Sequence, residues 1–128
     1  MPSVDLATHQ VKPTPYGRWQ QLNGALGLNA FGLNAIVLDP GEAIDIEHDE
    51  TDSGHQEVYV VVSGRARFTI GDERIEAGPG TVVAAIDPAA TRNYEALEPG
   101  TRIVCAGAAG GGEHPYGEWI DESEPVGH

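Results

Sequence analysis

Glycine and proline divide this chain into short runs of Val, Ile and Thr. The 128 residues include 17 Gly and 9 Pro, and turn-forming pairs such as Ser63-Gly64, Gly71-Asp72 and Asp87-Pro88 lie between the runs. Such pairs fix or permit the backbone angles at which a strand or helix ends. The pattern predicts an all-β sandwich or barrel without long helices.

Eight strands are predicted, at residues 30–38, 43–48, 57–62, 66–70, 74–77, 81–86, 91–96 and 101–106. Eight short strands suit two facing sheets. One helical turn is predicted at residues 19–26, because Trp19, Leu22 and Leu26 would share a face there. We therefore expect an N-terminal arm with a possible short helix at 1–29, a barrel at 30–107 and an acidic, glycine-rich tail at 108–128.

The charge and the terminal sequence limit the partners and the compartment. Twenty Asp and Glu against seven Lys and Arg give a formal net charge of -13, which repels nucleic-acid backbones and anionic membranes. No signal peptide and no stretch of transmembrane length is recognisable, so a cytoplasmic location is predicted. The single cysteine, Cys105, cannot form an internal disulfide and is interpreted as a small core residue rather than a nucleophile.

A resemblance to the cupin superfamily is carried by residues 40–49, 57–73 and 78–80. Cupins have a first motif, G-x5-H-x-H-x3,4-E-x6-G, and a second, G-x5-P-x-G-x2-H-x3-N, and Glu57 and Gly64 match the E-x6-G part without a gap. The resemblance implies a cupin-type double-stranded β-helix, or jelly-roll, barrel. In that strand Glu57, Tyr59 and Val61 share one face, whereas Val58, Val60 and Val62 face outward, where cupins bury apolar surface between sheets or across a dimer. A homodimer is therefore predicted.

The metal-binding histidines of the cupin motifs are not at their expected places. Counting back from Glu57 places the first two at Thr51 and Ser53, and counting forward from Gly41 places them at Glu47 and Asp49. The segment that begins at Pro88 is aligned with Arg92 at the third, one residue before Asn93, where the spacing of the second motif would place it. Because a guanidinium stays protonated, Arg92 cannot be a metal ligand.

Two hypotheses follow for the barrel interior. In the first, Arg92 points inward and forms an ion pair with Glu57 in place of a metal, the alternative being that Arg92 lies on the outside of a shifted strand. In the second, His48, His55 and Glu57 hold a divalent metal as two imidazoles and one carboxylate. The first is favoured, so no cofactor is expected.

The favoured function is the binding of a small organic ligand in a metal-free barrel. Arg92 would pair with an anionic group of the ligand, and Glu57, Tyr59, Phe68 and Tyr94 would complete the site. The alternative is a cupin enzyme: a metal-dependent oxygenase or isomerase using His48, His55 and Glu57, or a metal-free isomerase with Glu57 or His55 as general base. A third possibility is an accessory module that acts on a partner protein.

Overall fold

The described strands and helix follow each other along the chain with connections of at most six residues, except for the seventeen residues between the third and fourth strands. The computed structural model describes residues 1–14, 17–43 and 54–108. In chain order the elements are β1 (Lys12–Thr14), β2 (Gly17–Gln21), α1 (Asn23–Leu26), β3 (Gly32–Leu38), β4 (Gln56–Ser63), β5 (Ala66–Ile70), β6 (Glu73–Ala77), β7 (Val82–Ala85), β8 (Arg92–Ala96) and β9 (Thr101–Ala108). Among the described residues no helix is long and apolar enough to span a membrane.

The strands form two antiparallel sheets whose inner faces enclose the core. The larger sheet has the order β1-β2-β3-β9-β4-β7, and the smaller has the order β6-β5-β8. Ala43 makes an isolated bridge to Glu95, beside β8. The remainder of the strand predicted at 43–48 lies outside the described residues. The all-β sandwich or barrel predicted from the turn pattern is confirmed, and its two sheets form the jelly roll that the resemblance implies.

Alternation along the strands separates the core from the surface. On β4, Glu57, Tyr59 and Val61 are buried, whereas Val58 and Val62 are exposed, as the sequence predicts. On β8, the buried positions are Arg92, Tyr94 and Ala96, and the residues between them point outward. Tyr59, Val61, Phe68, Tyr94 and Ile103 belong to one continuous apolar core between the sheets.

The helical turn predicted at 19–26 is wrong in its first half. Residues up to Gln21 continue strand β2, in which Trp19 pairs with Ile36, and only Asn23–Leu26 is helical. Pairing with β3 satisfies the backbone of this segment and buries Trp19 almost completely. This tertiary pairing outweighs the weak helical periodicity of so short a segment. Strand β1, which the sequence analysis did not predict, pairs with β2 and extends the sheet.

Gly64 makes the turn after β4 possible for two reasons. Its φ is +72°, which residues other than glycine rarely adopt, and a Cβ at this position would lie 2.5 Å from Cα of Thr101. The close approach brings the Thr101 hydroxyl within 3.1 Å of the Arg65 amide, which donates to it. The E-x6-G spacing of the sequence therefore ends in a turn that also contacts the start of β9.

Candidate functional site

A buried ion pair between the two sheets lies at the centre of the candidate site. Nη1 of Arg92 donates to Oε1 of Glu57 over 3.0 Å, and both side chains are fully buried. Glu57 projects inward near the start of β4. Arg92 projects inward at the start of β8, because alternate side chains point to the same face and Arg92 shares its face with the buried Tyr94 and Ala96. The inward orientation of Arg92, which the sequence left open, is thus the observed one.

The pair is anchored by further hydrogen bonds. Nη2 of Arg92 donates to the backbone carbonyl of Asp87 over 2.8 Å. The Tyr59 hydroxyl donates to Oε1 of Glu57 over 3.0 Å, and Sγ of Cys105 lies 3.5 Å from Oε2. Nε of Arg92 is buried and has no hydrogen-bond partner among the described residues. Since buried donors are nearly always bonded, this N–H is a candidate contact for a ligand.

Three aromatic rings pack beside the ion pair. The ring centroids of Tyr59, Phe68 and Tyr94 are 5.4 to 5.9 Å apart, with tilted ring planes. Phe68 and Tyr94 are register partners on β5 and β8, whereas Tyr59 comes from the opposite sheet. The structure therefore brings together all five predicted ligand-binding residues: Glu57, Tyr59, Phe68, Arg92 and Tyr94.

Burial and nearby acidic groups keep the two tyrosines protonated. Burial is the main cause that raises the pKa of Tyr59 far above its usual value, and Cys105 and Glu57 add to the effect. The pKa of Tyr94 is raised in the same way, chiefly by burial. Tyr59 is thus held as a hydrogen-bond donor to Glu57 rather than as a base.

A crevice opens at the same end of the barrel. Its volume is about 630 Å³, and it runs along β7, between that strand and the tip of the β5–β6 hairpin. Ile70, on its wall, is the register partner of Arg92. Phe68 and Asp87 line the crevice and also contact the buried cluster, which consists of the ion pair and the three aromatic rings. The Phe68 ring packs against Tyr59, and the Asp87 carbonyl accepts from Arg92. The crevice and the ion pair are therefore neighbours. Arg92 itself does not line the crevice.

The described residues do not fit a metal ion. No group of three His, Cys, Asp or Glu side chains suited to a metal occurs among them. The Glu57 carboxylate would be a ligand both in the cupin motif and in the alternative set with His48 and His55. It already accepts from the Arg92 guanidinium 3.0 Å away, and the charge of Arg92 would repel a metal cation beside it. His55 is buried two residues before Glu57. His48, the third member of the alternative metal set, lies outside the described residues.

Sequence reasoning missed Gly107 and Asp87 as parts of the site. Gly107 is the register partner of Glu57, and a Cβ there would lie 3.0 Å from the Glu57 Cγ, so glycine leaves room for the carboxylate. The signal for Gly107 is long-range pairing, which a single sequence does not display. Asp87 contributes a backbone atom, so its side-chain type carries no signal at all.

The chain is similar to known proteins in its three-dimensional structure. No family model matches the chain, and no curated protein matches it. A cupin protein from Bacteroides fragilis superposes with a TM-score of 0.67 at 20% identity, covering 98% of this chain and 95% of its own. A sugar phosphate isomerase of the cupin superfamily from Silicibacter pomeroyi gives 0.67 at 18% identity, covering 84% of this chain and 75% of its own. A protein described as a predicted oxalate decarboxylase, from Thermotoga maritima, superposes with a TM-score of 0.67 at 12% identity, covering 84% of this chain and 98% of its own.

These similarities agree with the arrangement of the strands in two antiparallel sheets. At such low identity they establish the architecture, and the E-x6-G segment of the sequence is the local feature that matches it. The chain therefore has the cupin fold.

Proposed function

We propose that the protein binds a small organic anion at the end of the barrel where the crevice meets the Glu57–Arg92 pair. The observation that carries the proposal is the buried guanidinium of Arg92, which has one N–H without a partner among the described residues. An arginine in a site of low dielectric forms strong, directional bonds to carboxylate or phosphate. The nearby crevice has the size of a small-molecule site.

The arrangement suggests how a ligand would be held. Phe68, Ile70 and Val83 supply apolar walls for its carbon skeleton. Its anionic group would reach Nε of Arg92 past Phe68, which separates the crevice from the cluster. Glu57 and the Asp87 carbonyl already fix the orientation of the guanidinium, so little of its conformational freedom is lost on binding. Two of the structurally similar proteins bear names that imply anionic substrates, a sugar phosphate and oxalate, which favours this ligand class.

Thermal-shift and calorimetric measurements with sugar phosphates, oxalate and other dicarboxylates test the proposal. We expect at least one of these anions to raise the melting temperature of the protein. If it is a sugar phosphate, the same sugar without its phosphate should leave the melting temperature unchanged. Arg92→Lys keeps the charge beside Glu57 but loses the planar fork, so binding should weaken at least tenfold. The matched control is Arg67→Lys on the outer face of β5, which should bind like the wild type. Equal affinity of the Arg92→Lys protein would overturn the proposal.

The enzyme alternative makes a different demand on the same residues. A general base at Glu57 needs a carboxylate that releases its partners, yet this one accepts from Arg92 and Tyr59. A metal enzyme needs a cation where Arg92 now lies. Elemental analysis of protein purified without chelator or affinity tag separates the two classes: stoichiometric metal would favour the oxygenase or isomerase, and its absence the anion-binding barrel.

A further inference from the structure

The barrel is open along one side, between the strands that end the two sheets. In the order of the described strands, β7 is the last of the larger sheet and β6 is the last of the smaller. The crevice lies between them, with residues 82–84 and 86 on one wall and residues 73–75 on the other. Because it follows the whole of β7, it has the shape of one extended segment of chain.

The backbone of β7 has hydrogen-bonding groups on this open side. The Val61 amide donates to the Thr81 carbonyl over 3.0 Å, where the pairing between β4 and β7 begins. Bonded pairs recur at every second residue of an antiparallel ladder, so Val83 also bonds to β4. The N–H and C=O groups of Val82 and Ala84 therefore point away from β4, on the side of the crevice. They are the groups with which another strand would pair.

The inner face of β6 is uncovered. Ile75 is the register partner of Phe68, and register partners on neighbouring strands point to the same face. Phe68 is buried in the core, yet Ile75 is 49% exposed. The difference arises because the larger sheet, as far as it is described, ends at β7. An inward-facing isoleucine on the wall of the crevice indicates an apolar occupant.

The outer side of the crevice is apolar as well. Val82 and Ile86 are 61% and 68% exposed. A strand placed beside β7 would turn alternate side chains to opposite faces. One set would pack on Ile75, and the other would lie beside Val82 and Ile86. The occupant should therefore carry large apolar side chains on both faces of an extended segment.

The chain after β9 can reach this gap. Ala108, at the end of β9, is the register partner of Gln56, whose side chain donates to the Ile86 carbonyl over 3.0 Å. Strands β9 and β7 therefore end at the same end of the sheet. A position beyond β7 is three strand spacings from β9, about 14 Å, which about five extended residues span. Residues 44–53, by contrast, follow Ala43, which bridges to β8 at the opposite edge of the smaller sheet.

We infer that residues 113–120, which we call the added strand, fill the crevice and pair antiparallel with β7. These residues lie outside the described ones, and a chain that leaves β9, crosses the sheet and turns back has this direction. Residues 110–112 are all glycine and suit the crossing. Pro115 is compatible with the place, because the added strand would form the edge of the sheet.

One register of the added strand satisfies both faces of the gap. Glu118 is charged, so its face is the outer one, and Trp119 on the opposite face packs on Ile75. Large apolar side chains then lie at matching heights on both sides of β7. The pairs are Trp119 opposite Val83, Tyr116 opposite Ile86 and Ile120 opposite Val82.

The pairing stands independently of the proposed function, whereas its consequence for ligands rests on it. The added strand occupies the space through which an anion would reach Arg92, so the two compete. Calorimetry with oxalate and the sugar phosphates as probes should give, for any that binds, an affinity at least threefold higher for Trp119→Ser than for the wild type. Equal affinities would overturn the competition. If none binds either protein, the proposed function fails and the pairing does not.

Thiol labelling tests whether β6 is covered. The native Cys105 is fully buried, so a cysteine introduced by Ile75→Cys would be the reactive thiol. With Ellman's reagent, its rate should rise at least tenfold when Trp119→Ser is added. Val126→Ser, an apolar-to-serine change beyond the added strand, is the matched control and should leave the rate unchanged. A cysteine introduced by Glu98→Cys, on the exposed loop between β8 and β9, should react at one rate in all backgrounds.

A synthetic peptide of residues 113–120 tests the same contact from outside. Added to the Ile75→Cys/Trp119→Ser protein, it should restore protection of the thiol, whereas a peptide with the same residues in scrambled order should not. All variants should keep the circular dichroism spectrum and cooperative unfolding of the wild type, because Ile75 is exposed and Trp119 is not part of the described core.

Any of three outcomes overturns the inference. If Ile75→Cys reacts as fast as Glu98→Cys, the crevice is open. If it reacts slowly and Trp119→Ser has no effect, another segment covers β6. If its protection falls on dilution of the protein, the covering segment belongs to a second copy. None of these rates depends on anion binding through Arg92, so failure of the added strand and failure of the proposed function are distinguishable.

Discussion

At the scale of single residues, the Glu57–Arg92 pair makes each charge depend on the other. Both side chains are fully buried, so either one alone would be an uncompensated charge between the sheets. The attraction between them offsets the cost of removing both from water but does not by itself make the pair a large source of stability. The pair is therefore better understood as fixing orientation than as strengthening the fold.

Loss of one partner should destabilise the protein far more than loss of both. Arg92→Met leaves the Glu57 carboxylate buried without its cation and should lower the free energy of unfolding by about 3–5 kcal/mol. Glu57→Leu/Arg92→Met should recover most of that loss. Urea denaturation measures both values. The control is the exposed ion pair between Arg67 and Glu76. Arg67→Met should lower the free energy of unfolding by no more than about 1 kcal/mol. An equal loss in the single and double variants would contradict this account.

The two buried tyrosines should resist ionisation until the protein unfolds. Their folded-state pKa is raised, so the stability that they contribute is present below the unfolded value of 10.0 and is lost as the pH rises above it. Absorbance at 295 nm should show at least two of the four tyrosines missing from the titration of the folded chain. They should appear with the loss of circular dichroism. Titration of all four in a folded protein would show that the two rings are accessible.

At the scale of elements, the turn after β4 depends on glycine for both its angle and its space. Gly64→Ala forces a positive φ on alanine and drives its Cβ against the Thr101 backbone. Gly80→Ala is a matched control, because Gly80 also has a positive φ, +86°, but has nothing within 4 Å of a Cβ. The control should lose about 1 kcal/mol in urea denaturation, and Gly64→Ala at least twice as much. Equal losses would mean that the close approach to Thr101 is relaxed at no cost.

The sequence predicted those elements whose signal is local. Alternating burial on β4, the hairpin at Gly71 and the inward face of Glu57 follow from period-two patterns and turn residues. Strand β2 was missed because its buried residues include Gln20 and Gln21, whose polar side chains hide the alternation. The buried side chain of Gln20 donates to the backbone carbonyls of Leu6 and His9. These contacts are distant in sequence, so a local pattern does not predict them.

Five side chains of the candidate site could be named from the sequence, but their geometry could not be predicted. Arg92 could be named from its place after Asp87-Pro88, yet its direction depends on the register between β8 and β5, which sets Arg92 against Ile70. The crevice lies between β7 and the β5–β6 hairpin, which belong to different sheets. A pattern read along one strand carries no information about such a gap.

At the scale of the whole molecule, a net charge of -13 on 128 residues opposes the compact state through self-repulsion. Raising sodium chloride from low to physiological ionic strength reduces the Debye length to about 8 Å and should raise the melting temperature by a few degrees. Differential scanning fluorimetry at constant pH measures the effect. Choline chloride, matched in ionic strength, should act equally if screening is the cause. A melting temperature that is independent of salt would show that the carboxylates are well separated or individually compensated.

The position of β9 has a consequence for how the chain is made. This strand, Thr101–Ala108, pairs with β3 on one side and with β4 on the other, so it joins the two halves of the larger sheet. During synthesis the ribosome delivers it after the eight other described strands. Until it emerges, β3 and β4 have no strand between them, and their open edges are available to chaperones or to neighbouring nascent chains. The last described strand to be translated is thus the one that commits the larger sheet to its final form.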